Sequence, residues 1–107
     1  MLIEVTKDDI EEGVMEDECN CPLALAVARA AKYELPDDYM EPNIFAVVHD
    51  DEIQVYYQNP LNQEMDLQLD IEPKVKGEWQ VISDFISRYD KGFDVEPFDM
   101  EFQVIQN

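Results

Sequence analysis

The segment EMDLQLDIE, residues 64–72, alternates between polar and aliphatic side chains at every position. Successive side chains of a strand point to opposite faces, so the pattern predicts a strand with one apolar face and one acidic face. The aliphatic residues are Met65, Leu67, Leu69 and Ile71. The polar residues are Glu64, Asp66, Gln68, Asp70 and Glu72. Such a strand belongs in an antiparallel sheet that is covered by helices on one face and wet on the other.

Other runs have the composition of further strands: residues 2–5, 43–48, 52–58 and 98–104. The second and third of these runs are separated only by residues 49–51, which predicts a hairpin. The last run alternates like residues 64–72, with Asp99 and Glu101 on its polar side. We therefore expect a mainly antiparallel sheet of four to five strands.

Helical patterns separate these runs. Thr6 is a good N-cap for a short helix over residues 7–12 that Gly13 ends, and Pro22 opens an alanine-rich helix that Asn20 or Cys21 can cap. A second long helix is predicted within residues 78–90, with Gly92 as its stop. An aromatic series at this second helix is expected to pack in the core: Trp79, Phe85, Tyr89, Phe93 and Phe98. The whole chain, residues 1–107, is thus predicted to be a single acidic α+β domain with two main helices packed on one face of the sheet.

The charge of the chain restricts its partners. Twenty-six acidic residues stand against seven basic ones, giving a net charge of -19. A protein that binds nucleic acid neutralises phosphates with Lys and Arg, so direct nucleic-acid binding is not expected. The charge favours a basic protein as partner, such as the nucleic-acid-binding surface of a host enzyme. The alternative is that the acidity only maintains solubility, as in proteins of salt-loving organisms.

The predicted contact surface is the wet face of the sheet. Carboxylates two residues apart on a strand are about 6.6 Å apart, which is comparable to the separation of phosphates along a DNA strand. Tyr56 falls on the same face, where it is expected to anchor an arginine-rich partner. The predicted partner-binding residues are Glu64, Asp66, Asp70, Glu72, Asp99, Glu101 and Tyr56.

No motif for catalysis or cofactor binding is found in the sequence. Cys19, Cys21 and His49 are too few soft ligands for a zinc site, and the acidic run at residues 16–18 lacks the spacing of a calcium loop. The three glycines form no phosphate-binding loop. We therefore expect no enzyme, no metal and no cofactor. The absence of an apolar leader or a long apolar run predicts a cytoplasmic protein with no membrane partner.

Three segments carry a resemblance to a known group: IEVTKDDIEEG from residue 3, CNCPLALAVARA from residue 19, and ISDFISRYDKGFDVEPFDMEFQV from residue 82. Together they resemble small uncharacterised bacteriophage proteins. Small acidic phage proteins often inhibit host nucleic-acid enzymes, so the resemblance implies an anti-restriction or anti-CRISPR inhibitor that acts as a DNA mimic. The alternative is a small soluble structural or interaction domain, with a homodimer through an exposed sheet edge as one of its forms.

Overall fold

The computed structural model of the chain describes residues 1–34, 44–58 and 65–105, with all their side chains except those of residues 34, 57, 58 and 65–68. Its strands are β1 (Leu2–Val5), β2 (Ile44–Val48), β3 (Ile53–Gln58), β4 (Met65–Pro73) and β5 (Phe98–Ile105). Its helices are α1 (Lys7–Glu12), α2 (Pro22–Glu34) and α3 (Trp79–Asp90), and one 3-10 turn, Lys76–Glu78, leads into α3. The predicted order of elements and the α+β class are confirmed.

The five strands form one antiparallel sheet in the order β1-β5-β4-β3-β2. The chain runs β2, β3 and β4 as a meander, and β5 then enters between β4 and β1. The two strands with the clearest acidic alternation, β4 and β5, are therefore neighbours. Their register places Asp70 opposite Ile105 and Glu72 opposite Gln103.

A single apolar core lies between the sheet and the helices. Each strand contributes alternate side chains to it where side chains are described, except at the exposed Val104, and residues of both long helices join the same cluster. The fully buried side chains include Ile3, Ile53, Ile71 and Phe102 from the strands and Leu23, Val27 and Ile82 from the helices. None of the three described helices packs on the opposite face of the sheet, here called the outer face.

The helix ends follow from particular side chains. The Oγ1 of Thr6 accepts a hydrogen bond from the backbone N–H of Asp9, whose carboxylate accepts one from the N–H of Thr6, forming a capping box for α1. Cys21 caps α2, because its Sγ accepts a hydrogen bond from the Ala24 N–H at 3.4 Å. Gly92 has a φ of 80°, which allows the chain to reverse after α3.

One aromatic residue departs from the prediction. Phe85 is buried and meets Phe98 edge to face at 5.0 Å between ring centroids, as expected of core aromatics. Phe93, however, is 59% exposed. The prediction that Phe93 packs in the core is wrong, because the backbone reversal at Gly92 leaves the Phe93 side chain at the surface while its N–H still caps α3 at the Arg88 carbonyl oxygen.

Gly13 is required by a close approach between α1 and α2. A Cβ at this position would lie 2.7 Å from the Pro22 Cδ and 2.9 Å from the Asp9 carbonyl oxygen. We expect Gly13→Ala to destabilise the protein by about 2 kcal/mol through this overlap, measured by denaturant unfolding. Gly77 is the matched control, since a Cβ there would meet nothing within 4 Å. Gly77→Ala should be neutral or slightly stabilising, and an equal effect of the two substitutions would contradict the packing argument.

Candidate functional site

The outer face of the sheet divides into an acidic half and an apolar half. Its acidic half lies on β1, β5 and β4, and its described polar side chains are Glu4, Asp70, Glu72, Asp99, Glu101 and Gln103. The other half lies on β2 and β3 and carries Phe45, Val47, Gln54 and Tyr56. The five strands together contain six acidic residues and no Lys or Arg. The negative charge of the sheet is thus concentrated on one half of one face.

Two of these acidic residues lie directly opposite each other on neighbouring strands. Glu4 on β1 lies directly opposite Asp99 on β5, and both side chains are exposed. Directly opposed Cβ atoms of an antiparallel pair are only about 5 Å apart, and like charges in that position destabilise the sheet. The alternation of β5 pointed to Asp99, but Glu4 was missed because the four-residue strand β1 is too short to show a periodic pattern.

The other predicted acids differ in how far they are available to a partner. Glu72 is half-buried and accepts a hydrogen bond from the Gln103 Nε2 at 2.9 Å. Glu101 is 52% exposed but already faces two cations, the Lys74 Nζ at 3.6 Å and the Met1 amino group at 3.7 Å. One carboxylate oxygen of Asp70, Oδ1, is buried without a hydrogen-bond partner. Glu4 and Asp99, whose side chains are exposed, are therefore the acids most open to an incoming positive charge.

Tyr56 lies on the outer face as predicted, but in its apolar half. Its ring stacks on Phe45 with centroids 5.4 Å apart, and its hydroxyl donates a hydrogen bond to the Gln54 Oε1 at 2.7 Å. It is half-buried, and its described contacts are with Phe45 and Gln54 rather than with a carboxylate. Two further predicted contact residues lie outside the described residues: Glu64 as a whole and the side chain of Asp66.

A second acidic region surrounds a cleft of about 620 Å³ between α3, the loop before α2 and the β2–β3 turn. The acidic run at residues 16–18 was evident in the sequence, but the cleft was not. Five carboxylate residues line it: Glu16, Asp17, Glu18, Asp50 and Asp90. Several of them serve the loop itself. The Asp90 Oδ1 accepts a hydrogen bond from the Glu16 N–H at 2.8 Å, and the Glu18 Oε2 lies 3.4 Å from the His49 Nδ1.

Asp17 has the clearest structural role in this cleft. Its carboxylate accepts hydrogen bonds from the Asn20 side chain and from the backbone N–H groups of Cys19 and Asn20. The bond from the Asn20 side chain, followed by those from the backbone, lowers the pKa of Asp17. The acidic side chains of the loop before α2 thus stabilise its backbone through hydrogen bonds. The pairing with Asp90 was hidden because it joins residues 74 positions apart.

A partly buried ion pair between Asp9 and Arg29 joins α1 to α2. Asp9 is 3% exposed, and its carboxylate accepts two hydrogen bonds from the Arg29 guanidinium, each of 2.8 Å. Burial alone would raise the pKa of Asp9, but the hydrogen bonds from Arg29 and Thr6 together outweigh burial and lower it. Asp9 is therefore a structural acid, and Arg29 is already engaged by the chain.

Neither cysteine is activated as a nucleophile. Burial raises the pKa of the Cys19 thiol, and the neighbouring Glu18 and Asp17 raise it further. Burial also raises the pKa of Cys21, and this effect outweighs the hydrogen bonds from the Ala24 and Leu23 backbone. A raised thiol pKa leaves less thiolate at neutral pH, and thiolate is the reactive form. Both cysteines are free thiols, and Cys21 is part of the core.

Within residues 1–34, 44–58 and 65–105, no three His, Cys, Asp or Glu side chains are arranged so that they could hold a metal ion. No helix in the described part of the chain is long and apolar enough to span a membrane. Comparison of the chain with protein-family models, with curated proteins and with solved structures yields no match. The resemblance to phage proteins therefore stays a prediction.

Proposed function

We propose that this protein is a non-catalytic inhibitor that covers a basic, nucleic-acid-binding surface of another protein with the acidic half of its outer face. The observation that carries the proposal is the exposed pair of Glu4 and Asp99, directly opposite each other on β1 and β5. A pair of like charges there weakens the sheet, whereas one amide or one Lys would have solvated the same face without repulsion. A cationic surface that binds there relieves the repulsion, so the electrostatic free energy that the pair costs in the free protein is recovered in the complex.

The shape of the acidic half suits a nucleic-acid-binding groove. Successive outward residues of one strand are about 6.6 Å apart, and neighbouring strands are about 4.8 Å apart. Asp99 and Glu101 on β5 and Glu72 on β4 thus form rows of negative charge on a surface that none of the described helices covers. A groove that binds phosphates presents Lys and Arg at similar spacing, and electrostatic complementarity of this kind speeds association and excludes acidic partners.

The partner class follows from the same charges. With a net charge of -19 the chain is repelled by nucleic acids, but it is attracted by the proteins that bind them. A phage-type inhibitor of restriction or CRISPR enzymes, acting in the cytoplasm of a host cell, is the form of this function that the sequence resemblance favours. In this proposal the protein works by occupying a site and needs neither a cofactor nor a reaction of its own.

Salt dependence and competition with DNA test the proposal together. The protein is immobilised and exposed to bacterial lysate at about 0.05 M and about 0.5 M salt, where the screening length falls from roughly 14 to roughly 4 Å. We expect enrichment of DNA- or RNA-binding enzymes at low salt, and the captured enzyme should be released by a DNA duplex. The proposal would be contradicted if the captured proteins stayed bound regardless of salt concentration and of added DNA.

The alternative function, a structural or interaction domain whose acidity serves solubility, has one observation in its favour. Acids also surround the cleft beside α3 and occupy α1, so the outer face holds only part of the charge. The two edge strands, β1 and β2, offer a route to a homodimer in that case. The inhibitor requires a free acidic half, whereas a dimer through β1 would occupy the sheet edge at which that half ends. Sedimentation of the purified protein shows whether such a dimer forms.

A further inference from the structure

A second feature of the surface is apolar rather than acidic. A groove of about 570 Å³ lies between the end of α1 and the chain that follows α3. Three of its lining residues are large, apolar and at least half exposed: Val14 at 50%, Met15 at 54% and Phe93 at 59%. Single exposed apolar residues are common on proteins, but a contiguous set of them in one groove marks an interaction site.

The walls of this groove are held in place by hydrogen bonds. The Tyr89 hydroxyl donates to the Ile10 carbonyl oxygen at 3.2 Å, which joins α3 to α1. The Phe93 N–H donates to the Arg88 carbonyl oxygen at 3.0 Å, and the Val14 N–H donates to the Asn20 carbonyl oxygen at 2.9 Å. Phe93 and Val14, the residue before Met15, are thus each held by a backbone hydrogen bond. A partner that binds there meets a preformed surface, which lowers the entropic cost of binding.

A second apolar groove, of about 440 Å³, continues the first along α3. The two grooves share Asp94 and Val95, and the second adds Val81, which is 47% exposed. The charged residues of the second groove are Asp84, Asp94, Glu96 and Arg88. Three carboxylates against one guanidinium leave its rim acidic. The combined feature is an apolar strip with an acidic border.

We propose that these two grooves form a docking site for a basic amphipathic helix of a partner protein. Apolar residues spaced by three and four along such a helix fit an apolar strip, and Lys or Arg on its flanks would lie against Asp84, Asp94 and Glu96. The charge of the chain disfavours the other occupants of an apolar strip. A second copy would bring another net charge of -19, and an anionic membrane would repel the acidic border.

The site is separate from the proposed inhibitory face. The strip is built on the helices and the loop after α3, whereas the acidic half lies on the strands of the opposite side of the sheet. The inference therefore holds whether or not the outer face binds a nucleic-acid enzyme.

Two synthetic peptides of leucine and lysine test the proposal by fluorescence anisotropy at about 0.15 M salt. In one peptide the leucines form a single helical face, and in the other the same residues are scrambled so that no apolar face exists. Because both peptides carry the same charge, non-specific attraction to the acidic protein contributes equally to both affinities and cancels in the ratio of the two affinities. We expect the amphipathic peptide to bind at least about tenfold more tightly, the usual effect of one well-buried anchor.

Variants then locate the binding. Met15→Ser combined with Phe93→Ser should reduce the ratio of the two affinities to near one. Val75→Ser is the matched control, because Val75 is also exposed, at 60%, but lies in neither groove. Circular dichroism checks that both variants are folded. Lysine substitutions of Glu4 and Asp99 on the outer face should leave the ratio unchanged, which distinguishes this site from the proposed inhibitory face.

Equal affinity for the two peptides, or an undiminished ratio in the Met15 and Phe93 variant, would overturn the proposal. So would a peptide-free dimer in sedimentation that the same variant dissociates, because a second copy would then be the occupant. Binding to neutral phosphatidylcholine vesicles that the variant abolishes would likewise replace the partner helix by a lipid surface.

Discussion

The triple substitution Glu4→Lys, Glu72→Lys and Asp99→Lys is expected to weaken binding to a basic partner by at least about 100-fold. Each replacement places a cation against the partner's cationic surface. Removing one member of a close, desolvated charge pair already costs about 2 kcal/mol or more of binding free energy, even without the new repulsion. Fluorescence anisotropy or surface plasmon resonance with an enzyme captured as above gives the affinities. The effect should shrink as salt is raised, because screening weakens the lost attraction and the new repulsion alike.

A control with the same change in net charge separates the site from the total charge. Glu11, Glu12 and Asp50 are exposed and lie away from the outer face, so Glu11→Lys, Glu12→Lys and Asp50→Lys shift the charge equally. We expect this control to weaken binding by less than about tenfold through the long-range field alone. Equal losses in the two triple variants would show that net charge acts without a defined face.

The single substitution Asp99→Lys tests whether binding can be reduced without a loss of stability. It turns the repulsive pair with Glu4 into an attractive one, which should stabilise the sheet by about 0.5 kcal/mol. A variant that melts at a higher temperature and binds more weakly would separate the two effects. A lower melting temperature would instead mean that the Glu4 and Asp99 carboxylates do not oppose folding.

Asp9→Ala is expected to destabilise the protein by about 3 kcal/mol, which lowers the melting temperature by roughly 15 °C for a domain of this size. The Thr6 N–H loses its capping acceptor, and the Arg29 guanidinium loses a two-point partner whose side chain is 4% exposed. The Arg29 side chain is 45% exposed and regains some hydration, which keeps the effect at the lower end for a broken ion pair. Chemical unfolding at neutral pH measures it.

The pH dependence gives this prediction a second readout. The pKa of Asp9 is lowered in the folded protein, so its contribution to stability is present above the ordinary carboxyl value of 3.8 and is lost as the pH falls through the folded value. The difference between wild type and Asp9→Ala should therefore be complete at neutral pH and shrink below about pH 4. Asp8→Ala is the control, since Asp8 is an exposed neighbour and should cost only about 0.5 kcal/mol through the helix dipole. A difference that persists in acid would mean that Asp9 does not act through its charge.

The elements of the fold were predictable because each has a strong local pattern. Alternation marked β4 and β5, Pro22 opened α2, and Gly92 ended α3, all within one or two residues of the bounds in the structure. The order of strands was less accessible, because it depends on which distant strands meet. That β5 lies between β4 and β1 follows from the pairing of residues nearly a hundred positions apart.

The contact surface was predictable in kind but not in detail. Alternation assigns residues to a face, so Asp99 and Glu72 could be placed on the wet side of the sheet. It does not reveal that Glu101 meets Lys74 and the Met1 amino group, or that Tyr56 stacks on Phe45. Those relations depend on side chains from other elements. The exposed position of Phe93 depends in the same way on the direction of the chain after Gly92.

The place of β5 in the sheet also governs the order in which the protein can assemble during synthesis. The meander of β2, β3 and β4 joins neighbouring segments and can form as soon as residue 73 has left the ribosome. β1 has to wait, because among the described strands it pairs with β5 alone, and the Met1 amino group hydrogen-bonds to the Phe102 carbonyl 101 residues away. Closing so long a loop is slow compared with hairpin formation. Until it closes, α2 can already pack on β2 and β3, but β1 has no paired strand beside it. The apolar side of β1 is then incompletely covered, and the acidic residues keep the nascent chain apart from its neighbours.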